Sequence, residues 1–552
     1  MSLLISISRD TFITPAERYE EIIEELDKAS YLLSFAIERY AQACASVAHS
    51  FESGGGAAKA LLSSAKKELS ALASYDQNYQ RAKVSLRRVR NRCPELVPIH
   101  ILPSEILSQI FCSVDYCCIS KQAVELCKSR NTSTTPETYL EVCSWWRRVA
   151  MESSYLWTHI DLICLCSFQA FDQQHNVRAL QRAMAFATQA GRASLDIHIG
   201  AGSAYENIKD IDRELVDFCA SASSRIQSLD MACSSSPIAI QNLLGTLLHS
   251  GLVPGTVTRF CISNGVTQRG TARGYSILVT RKADESRLED FLRPITRLQL
   301  NCVFLPWTSR AYHGLVELKL IAGLGQGVGL IIPEGQLASI LRASPGLQLL
   351  HYGLEVERKK KPYRLDPVRL DDLEVFRLEK LHADSQASVL QMIIPGNKPL
   401  QVAIKLRDNL TLEAPHHTAL SAFLSRSFGV QLYIEGIGSK LELFELFQES
   451  SAIDILVLRD FIIGAKYIDP RNTRNYPQIH VLHVILCKLV CDGFENLIEF
   501  HSVQELTSHF SSFTSVSGDV IRTDRYYEED LRDICPSVSF LNDDRHYLAE
   551  GW

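Results

Sequence analysis

The sequence of 552 residues has no apolar run of the roughly 18 to 20 residues that are needed to cross a bilayer. Its start, MSLLISISRD, has no basic leader and no usable signal core, because Arg9 and Asp10 interrupt the apolar stretch. Neither sign of charge is in large excess: the net charge is -6 and the pI is near 6.3, which argues against a polyanionic partner. We therefore expect an intracellular protein, cytoplasmic or nuclear, that binds neither membrane nor nucleic acid.

Motifs that carry catalysis or bind nucleotides are also lacking. No G-x-S-x-G elbow and no H-E-x-x-H helix occur in the chain. The run GLGQGVG at Gly323 to Gly329 lacks the third glycine of a dinucleotide fingerprint, and no lysine-serine or lysine-threonine pair follows it as in a P-loop. The pair His416 and His417 follows Pro415 and is interpreted as a solvated turn. We predict no catalytic residues and no cofactor.

The sixteen cysteines form no framework typical of disulfides or of metal binding. The densest group runs from Cys112 through Cys117 and Cys118 to Cys127, and its last interval is too long for the paired spacing of structural zinc sites. We therefore predict no metal. Other cysteines lie in apolar segments and are expected to be buried free thiols of a reducing compartment: Cys261, Cys302, Cys487 and Cys491.

At this length the chain is too long for one compact core. Two long helical patterns open it, from about residue 15 to 49 and from about 57 to 92, separated by Gly54 to Gly56. The first begins with acidic residues and the second ends with basic ones, so folding back at the glycines would place opposite charges together. A solvated helix face is favoured for the basic cluster over a nuclear signal or an RNA-binding patch, because interleaved aromatic residues are lacking.

Two short apolar blocks follow, from Ile101 to Phe111 and from Tyr139 to Leu162. In the first, Pro103 suits the start of a helix, and the apolar residues after it recur at helical spacing. In the second, Thr135 and Pro136 indicate a cap and a first helical residue. The second helix is predicted to gather several apolar residues on one face: Val142, Cys143, Trp146, Val149 and Ala150. Two helices of this size need each other and a further partner to bury these faces.

The combination of Leu-Pro, Val-Cys-x-x-Trp-Arg and Leu-Trp resembles an F-box, specifically the F-box-like module of fungal proteins. The resemblance covers roughly sixty residues. It departs from the family at Ser154, where proline is usual, and in a long polar insert that includes residues 129–135. The residues that carry it are Leu102, Pro103, Glu105, Ile106, Leu107, Ile110, Phe111, Leu140, Val142, Cys143, Trp146, Arg147, Ala150, Leu156 and Trp157.

This resemblance implies docking on the SKP adaptor of a cullin-type ubiquitin ligase, with the rest of the chain selecting a protein substrate. The adaptor contacts that it implies fall at the Leu-Pro start and at apolar helix positions. They are Leu102, Pro103, Ile106, Leu107, Ile110, Phe111, Leu140, Val142, Cys143, Trp146, Leu156 and Trp157. The residues that would contact a substrate are not assigned by any pattern in the sequence.

After residue 162 short β-like runs recur, most of them about 20 to 35 residues apart, with helical pieces between many of them. The predicted strands are 194–199, 226–231, 257–262, 297–301, 315–321, 347–352, 373–379, 400–406, 430–435, 453–458 and 479–485. Predicted helices include 336–344, 386–394, 418–428 and 441–449. One strand and one helix per unit is typical of leucine-rich repeats. Strands and helices also alternate in a doubly wound α/β enzyme, so only the presence or absence of a catalytic site distinguishes that fold from a leucine-rich-repeat array.

These patterns predict a multi-domain protein: an N-terminal α-helical hairpin (residues 1–98), an all-α F-box-like domain (99–162) and an α/β leucine-rich-repeat-like solenoid (163–552). The expected function is that of a non-catalytic substrate receptor of a ubiquitin ligase. A scaffold that keeps the F-box fold without acting in ubiquitylation is the alternative. An α/β enzyme is a more distant reading, because no convergent polar site is visible in the sequence.

Overall fold

A computed structural model describes residues 15–52, 58–92, 98–114, 136–164, 172–201, 213–233, 237–249, 255–264, 276–277, 282–322, 331–357, 366–406, 414–440, 453–463, 478–514, 520–521 and 525–541. The chain divides into two compact units, residues 1–103 and 104–552. Among the helices that the structure describes, none has the length and apolar character of a membrane span.

The first unit contains two long helices, α1 (Pro15–Glu52) and α2 (Ala58–Arg92), and a 3-10 turn at Pro98–Ile101. The Tyr40 hydroxyl on α1 donates to Glu68 Oε2 on α2 at 3.2 Å, and the ring of Tyr40 meets that of Tyr75 edge to face at 6.3 Å. The predicted N-terminal helical region is therefore confirmed. The sequence predicts that acidic residues of α1 pair with basic residues of α2. In the structure Glu24 instead pairs with Lys28 of its own helix, at 2.7 Å.

The second unit begins with three short helices, α3 (Ser104–Val114), α4 (Pro136–Val142) and α5 (Ser144–Glu152), and a 3-10 turn at Ser154–Trp157. We call residues 104–157 the helical module. The remaining helices lie between strands: α6 (Asp172–Gln189), α7 (Arg213–Ala222), α8 (Pro237–His249), α9 (Lys282–Leu292), α10 (Glu334–Arg342), α11 (Ala383–Met392), α12 (Ala414–Leu424), α13 (Cys491–Phe500) and α14 (Arg525–Ile534).

One large sheet holds most of the strands. They are β1 (His159–Cys164), β2 (Leu195–Ala201), β3 (Ile226–Cys233), β4 (Arg259–Asn264), β6 (Arg297–Asn301), β8 (Glu317–Ile321), β10 (Leu349–Gly353), β13 (Val375–Leu381), β15 (Pro399–Leu406), β16 (Phe428–Lys440), β17 (Ile453–Ile463), β18 (Ile479–Ile485), β20 (Glu505–His509) and β23 (Ser537–Leu541). Each pairs in parallel with the next one named.

Short strands form a second row beside this ladder. They are β5 (Ser276–Ile277), β7 (Val303–Phe304), β9 (Ile331–Pro333), β11 (Glu355–Glu357), β12 (Val368–Leu370), β14 (Ile393–Pro395), β19 (Lys488–Val490), β21 (Ser512–Thr514) and β22 (Val520–Ile521). They pair as β5 with β7, β9 with β11, β12 with β14, and β19 with β17 and β21, all in parallel, while β22 runs antiparallel to β21.

The order of the main strands follows the order of the chain, which is the arrangement of a solenoid-like α/β structure. In a doubly wound sheet the strand order reverses at a switch point, and the described strands contain no such reversal. Successive strands begin from 20 residues apart, at Arg297 and Glu317, to 38 apart, at Arg259 and Arg297. The repeats are therefore irregular in length.

Buried and partly exposed side chains alternate along the strands, and this alternation shows which face of the sheet packs into the core. In β8 the side chains of Leu318 and Leu320 are fully buried, whereas Glu317 and Lys319, which alternate with them, are half-buried. Because successive side chains point to opposite faces, one face of the sheet packs into the core and the other, which we call the polar face, carries the intervening residues. Helices cover the core face, as where α6 packs on β1.

Each strand predicted from the sequence coincides with one of these strands, and the predicted helices at 336–344, 386–394 and 418–428 overlap α10, α11 and α12. Strands β1, β20 and β23 of the main sheet were not predicted, and neither were the short strands of the second row. The predicted helix at 441–449 and the glycine-rich run at 323–329 lie outside the described residues. His416 and His417 stand in α12 and not in a loop, which corrects that interpretation.

Candidate functional site

The helical module has a small aromatic core. The rings of Phe111 on α3 and Tyr139 on α4 stack with centroids 4.3 Å apart, and the ring of Trp146 on α5 lies 4.9 Å from that of Phe111. The indole nitrogen of Trp157 donates to the carbonyl of Ala150 at 2.8 Å. Ser108 and Ser153 share a hydrogen bond between α3 and the end of α5. These contacts fix three short helices that could not be stable alone.

The module is joined to the repeat array through α6. Arg182 forms two hydrogen bonds with the Glu137 carboxylate, at 2.6 and 2.7 Å, and its guanidinium lies 4.8 Å from the centre of the Phe186 ring. Trp157 meets Phe186 edge to face at 5.0 Å. The predicted boundary after residue 162 falls inside β1, which pairs with β2. The helical module and the sheet therefore share one core.

The predicted second helix is interrupted at Cys143. This residue has an extended backbone, with φ of -160° and ψ of 171°, and its Sγ accepts a hydrogen bond from the Trp146 amide at 3.4 Å. It is the N-cap of α5. Because the break changes the helical phase, Val142 is 54% exposed while Val149 and Ala150 are buried, so the expected single apolar face does not form.

The twelve residues that the F-box resemblance selects divide into two groups by exposure. Leu107, Phe111, Leu156 and Trp157 are buried in the core of the second unit. The others are partly or largely exposed: Leu102, Pro103, Ile106, Ile110, Leu140, Val142, Cys143 and Trp146. Only members of the second group offer surface to a partner in this conformation.

Ile106 and Ile110 form an exposed apolar pair on α3. They lie four residues apart and therefore on one side of the helix, with 42% and 37% of their surfaces exposed. Leu107 and Phe111, one position further on, are fully buried. The helix thus has a packed apolar side and, next to it, an exposed apolar side, which is the pattern of a helix that presents a hydrophobic surface to a partner.

The polar face is the second candidate site. Its middle row, in register from β6 to β13, contains Gln299, Lys319, His351 and Arg377. Burial lowers the pKa of Lys319, and the charges of Arg259 and Arg377 lower it further, against the opposing effect of Glu317. The row is therefore cationic and only partly solvated.

Toward the C-terminal end the polar face becomes mixed. Ala403, Tyr433, Val457 and Ile485 form a buried apolar cluster across β15 to β18. Burial raises the pKa of Tyr433 strongly, and the neighbouring Glu435, which accepts its hydroxyl hydrogen bond at 3.0 Å, raises it further. The polar face therefore carries cations in the middle of the array and a buried apolar cluster further along.

The N-terminal end of the polar face holds a different set. His159 and Asp161 on β1 and His198 on β2 bring one ligand atom each within 4.8 Å of one another. His159 Nε2 lies 3.3 Å from Asp161 Oδ1, and His198 Nδ1 lies 3.4 Å from Asp230 Oδ2 on β3. Two imidazoles and a carboxylate could hold a transition-metal ion.

No sequence pattern indicated this His and Asp set, and the prediction of no metal did not consider it. His159 and Asp161 alternate on one strand, which is a weak signal, but His198 and Asp230 are separated from them by whole repeats. Of the cysteines that were weighed as metal ligands, Cys112 is exposed, and Cys117, Cys118 and Cys127 lie outside the described residues. Burial is found, as expected, at Cys261, Cys302, Cys487 and Cys491.

Comparison with known proteins does not assign a family. No protein-family model matches the chain, and no curated protein matches it.

Proposed function

We propose that this protein is a non-catalytic substrate receptor that docks on an SKP adaptor of a cullin-type ubiquitin ligase through its helical module. The observation that carries the proposal is the exposed apolar pair Ile106 and Ile110, which stands beside a fully packed core. Leu102 and Pro103, which directly precede α3 in the sequence, and Val142 add exposed or half-buried apolar surface. These are positions at which the F-box resemblance places adaptor contacts.

The solenoid-like sheet supports the second half of the proposal, a receptor surface of the leucine-rich-repeat kind. Repeats stacked in chain order produce a long continuous face that suits an extended protein segment. The middle of the polar face presents more cations than anions: Arg259, Arg297, Lys319 and Arg377 stand against Glu317 and Glu379. We propose that it receives an acidic segment of a protein substrate.

The first experiment measures binding of the purified full-length chain to the host SKP adaptor. Full-length protein is needed because β1 pairs with β2, so a fragment that ends near residue 165 would leave a strand edge unpaired. Wild type is expected to bind, and Ile106→Asp is expected to lose on the order of a hundredfold in affinity, because a carboxylate would be buried without a partner.

Two control variants separate docking from folding. Gln109→Asp places the same charge at an exposed polar position of α3 and is expected to bind like wild type. Leu107→Ala removes a fully buried side chain and is expected to cost about 2 to 5 kcal/mol of stability. Circular dichroism reports whether each variant is folded. A folded wild type that does not bind the adaptor would refute the receptor and favour the scaffold.

The receptor half is tested separately by the proteins that the chain enriches from cells. Arg377→Glu is expected to lose acidic substrates and to keep the adaptor, whereas Ile106→Asp is expected to lose the adaptor and keep the substrates. Arg369→Glu, at an exposed position outside the middle row, is the matched control. Equal substrate loss in both arginine variants would contradict the assignment of the polar face.

A further inference from the structure

The start of the polar face gathers four titratable side chains from three neighbouring parallel strands. His159 and Asp161 lie two residues apart on β1 and therefore share a face of the sheet. In register, Asp161 stands opposite His198 on β2, and His198 stands opposite Asp230 on β3. This grouping follows from strand order and from alternation, because β1, β2 and β3 are successive strands of the chain that pair side by side.

The distances fit a shared ion. Ligand atoms that surround one tetrahedral zinc ion at ordinary bond lengths are about 3.3 Å apart. His159 Nε2 and Asp161 Oδ1 are separated by 3.3 Å, and the three candidate ligand atoms of His159, Asp161 and His198 all lie within 4.8 Å of one another. The two imidazole rings have centroids 4.2 Å apart. A small side-chain adjustment would bring all three donors to one centre.

An independent observation comes from the buried polar atoms at this place. His198 is 7% exposed, yet its Nδ1 has no hydrogen bond. Leaving such buried polar atoms without hydrogen bonds costs free energy. The Asp230 carboxylate, 3.4 Å from His198 Nδ1, stands where an outer carboxylate orients an imidazole that binds a metal.

We propose that His159, Asp161 and His198 bind a divalent ion of the zinc class, with Asp230 as a positioning residue. Two nitrogen ligands and one carboxylate suit zinc and its transition-metal neighbours, whereas calcium and magnesium prefer oxygen donors throughout. Three protein ligands leave a fourth position for water or a substrate group. The ion would also tie β1 to β2 directly after the Ser154–Trp157 turn, where the helical module joins the sheet.

The test measures binding of Zn²⁺ to untagged full-length protein by isothermal titration calorimetry. The visible spectrum of the Co²⁺-bound protein reports which kinds of ligand hold the ion. Wild type is expected to bind one ion at this site. Asp161→Asn and His198→Ala are expected to abolish that binding, and Asp230→Asn is expected to weaken it by about 10- to 100-fold. His313→Ala, which removes an exposed histidine from a loop, is the control that should bind like wild type.

The outcomes separate the proposal from other metal binding. Absence of binding to folded wild type would overturn it. Equal binding by wild type, Asp161→Asn and His198→Ala would also overturn the proposal, and the metal would then be assigned to cysteines. Thiolate charge-transfer bands in the spectrum of the Co²⁺ form would support that assignment. If His198→Ala does not fold, the proposal is tested by the near-isosteric variants Asp161→Asn, which should abolish binding, and Asp230→Asn, which should weaken it. Adaptor binding is measured separately, so either proposal can fail alone.

Discussion

Glu379 on β13 accepts a hydrogen bond from His351 on β10, with Nε2 and Oε1 separated by 2.7 Å on the polar face of the sheet. Lys405 on β15 approaches the same oxygen to 3.7 Å. One carboxylate thus links three successive repeats. Burial acts to raise the pKa of Glu379, but the hydrogen bond and charge of His351, together with Lys405, outweigh it and lower that pKa.

We expect Glu379→Gln to lower the free energy of unfolding at neutral pH by about 1 to 2 kcal/mol, since a hydrogen bond to a charged group is lost. Urea denaturation measures this loss. The matched control is Asp371→Asn, which breaks the exposed ion pair between Arg369 and Asp371, whose atoms lie 2.7 Å apart. It should cost about 0 to 1 kcal/mol.

The same carboxylate predicts an acid dependence. Because the folded pKa of Glu379 is lowered, its contribution is fully present above the ordinary value of 4.5 and is lost as the pH falls through the lower folded pKa. Glu379→Gln should therefore flatten the decline of stability in this acid range relative to wild type. An unchanged decline in the variant would assign the acid sensitivity to other carboxylates.

His483 on β18 gives a second prediction of pH dependence, for a basic group in place of an acidic one. Burial lowers its pKa from 6.5, the charge of His509 lowers it further, and Glu505 opposes the shift. The unfolded chain therefore takes up a proton before the folded one, and stability should fall as the pH decreases from about 6.5 to the folded pKa. Below the folded pKa no further loss from this group is expected.

Histidine signals in NMR titrations of the full chain would measure this shift. His509→Gln should raise the pKa of His483 toward its ordinary value, because a neighbouring cation is removed. Glu505→Gln should lower it further, because the favourable anion is removed. Two shifts in the same direction would contradict the electrostatic explanation.

Two glycines are expected to respond in opposite ways to alanine. At Gly396 a Cβ atom would clash with the backbone of Asp371, so Gly396→Ala should destabilise the protein by about 1 to 3 kcal/mol. At Gly245, inside α8, no heavy atom lies within 4 Å of an added Cβ. Gly245→Ala should stabilise by about 0.5 to 1 kcal/mol through helix propensity. Thermal unfolding of both variants beside wild type measures the contrast.

The indole of Trp157 gives a test of how the helical module is held. Its nitrogen donates to the Ala150 carbonyl, and the side chain is 4% exposed. Trp157→Phe keeps an aromatic ring and removes the indole donor, while the Ala150 carbonyl still accepts from the Ser153 amide, so a loss of about 0.5 to 1.5 kcal/mol is expected. Tyr155→Phe, at a 75% exposed position of the same turn, should be neutral. Equal effects of the two changes would argue against the hydrogen bond as the cause.

Local pattern determined much of the fold. The strands of the main sheet from β2 to β18 were predicted because apolar and polar residues alternate in runs such as Glu317 to Ile321. The hairpin was predicted because two long helical patterns flank a glycine run. The break at Cys143 was missed, since an extended residue that caps a helix through its sulfur leaves the apolar spacing around it unchanged.

The sequence by itself determined most of the helices and most strands of the main sheet, because period and turn chemistry act over a few neighbouring residues. Tertiary structure decided the order of the strands, the burial of Leu107 and Phe111 beside the exposed Ile106 and Ile110, and the meeting of His159, Asp161 and His198. These depend on contacts between segments tens of residues apart, whose register no local pattern records. Packing of whole repeats against one another sets that register.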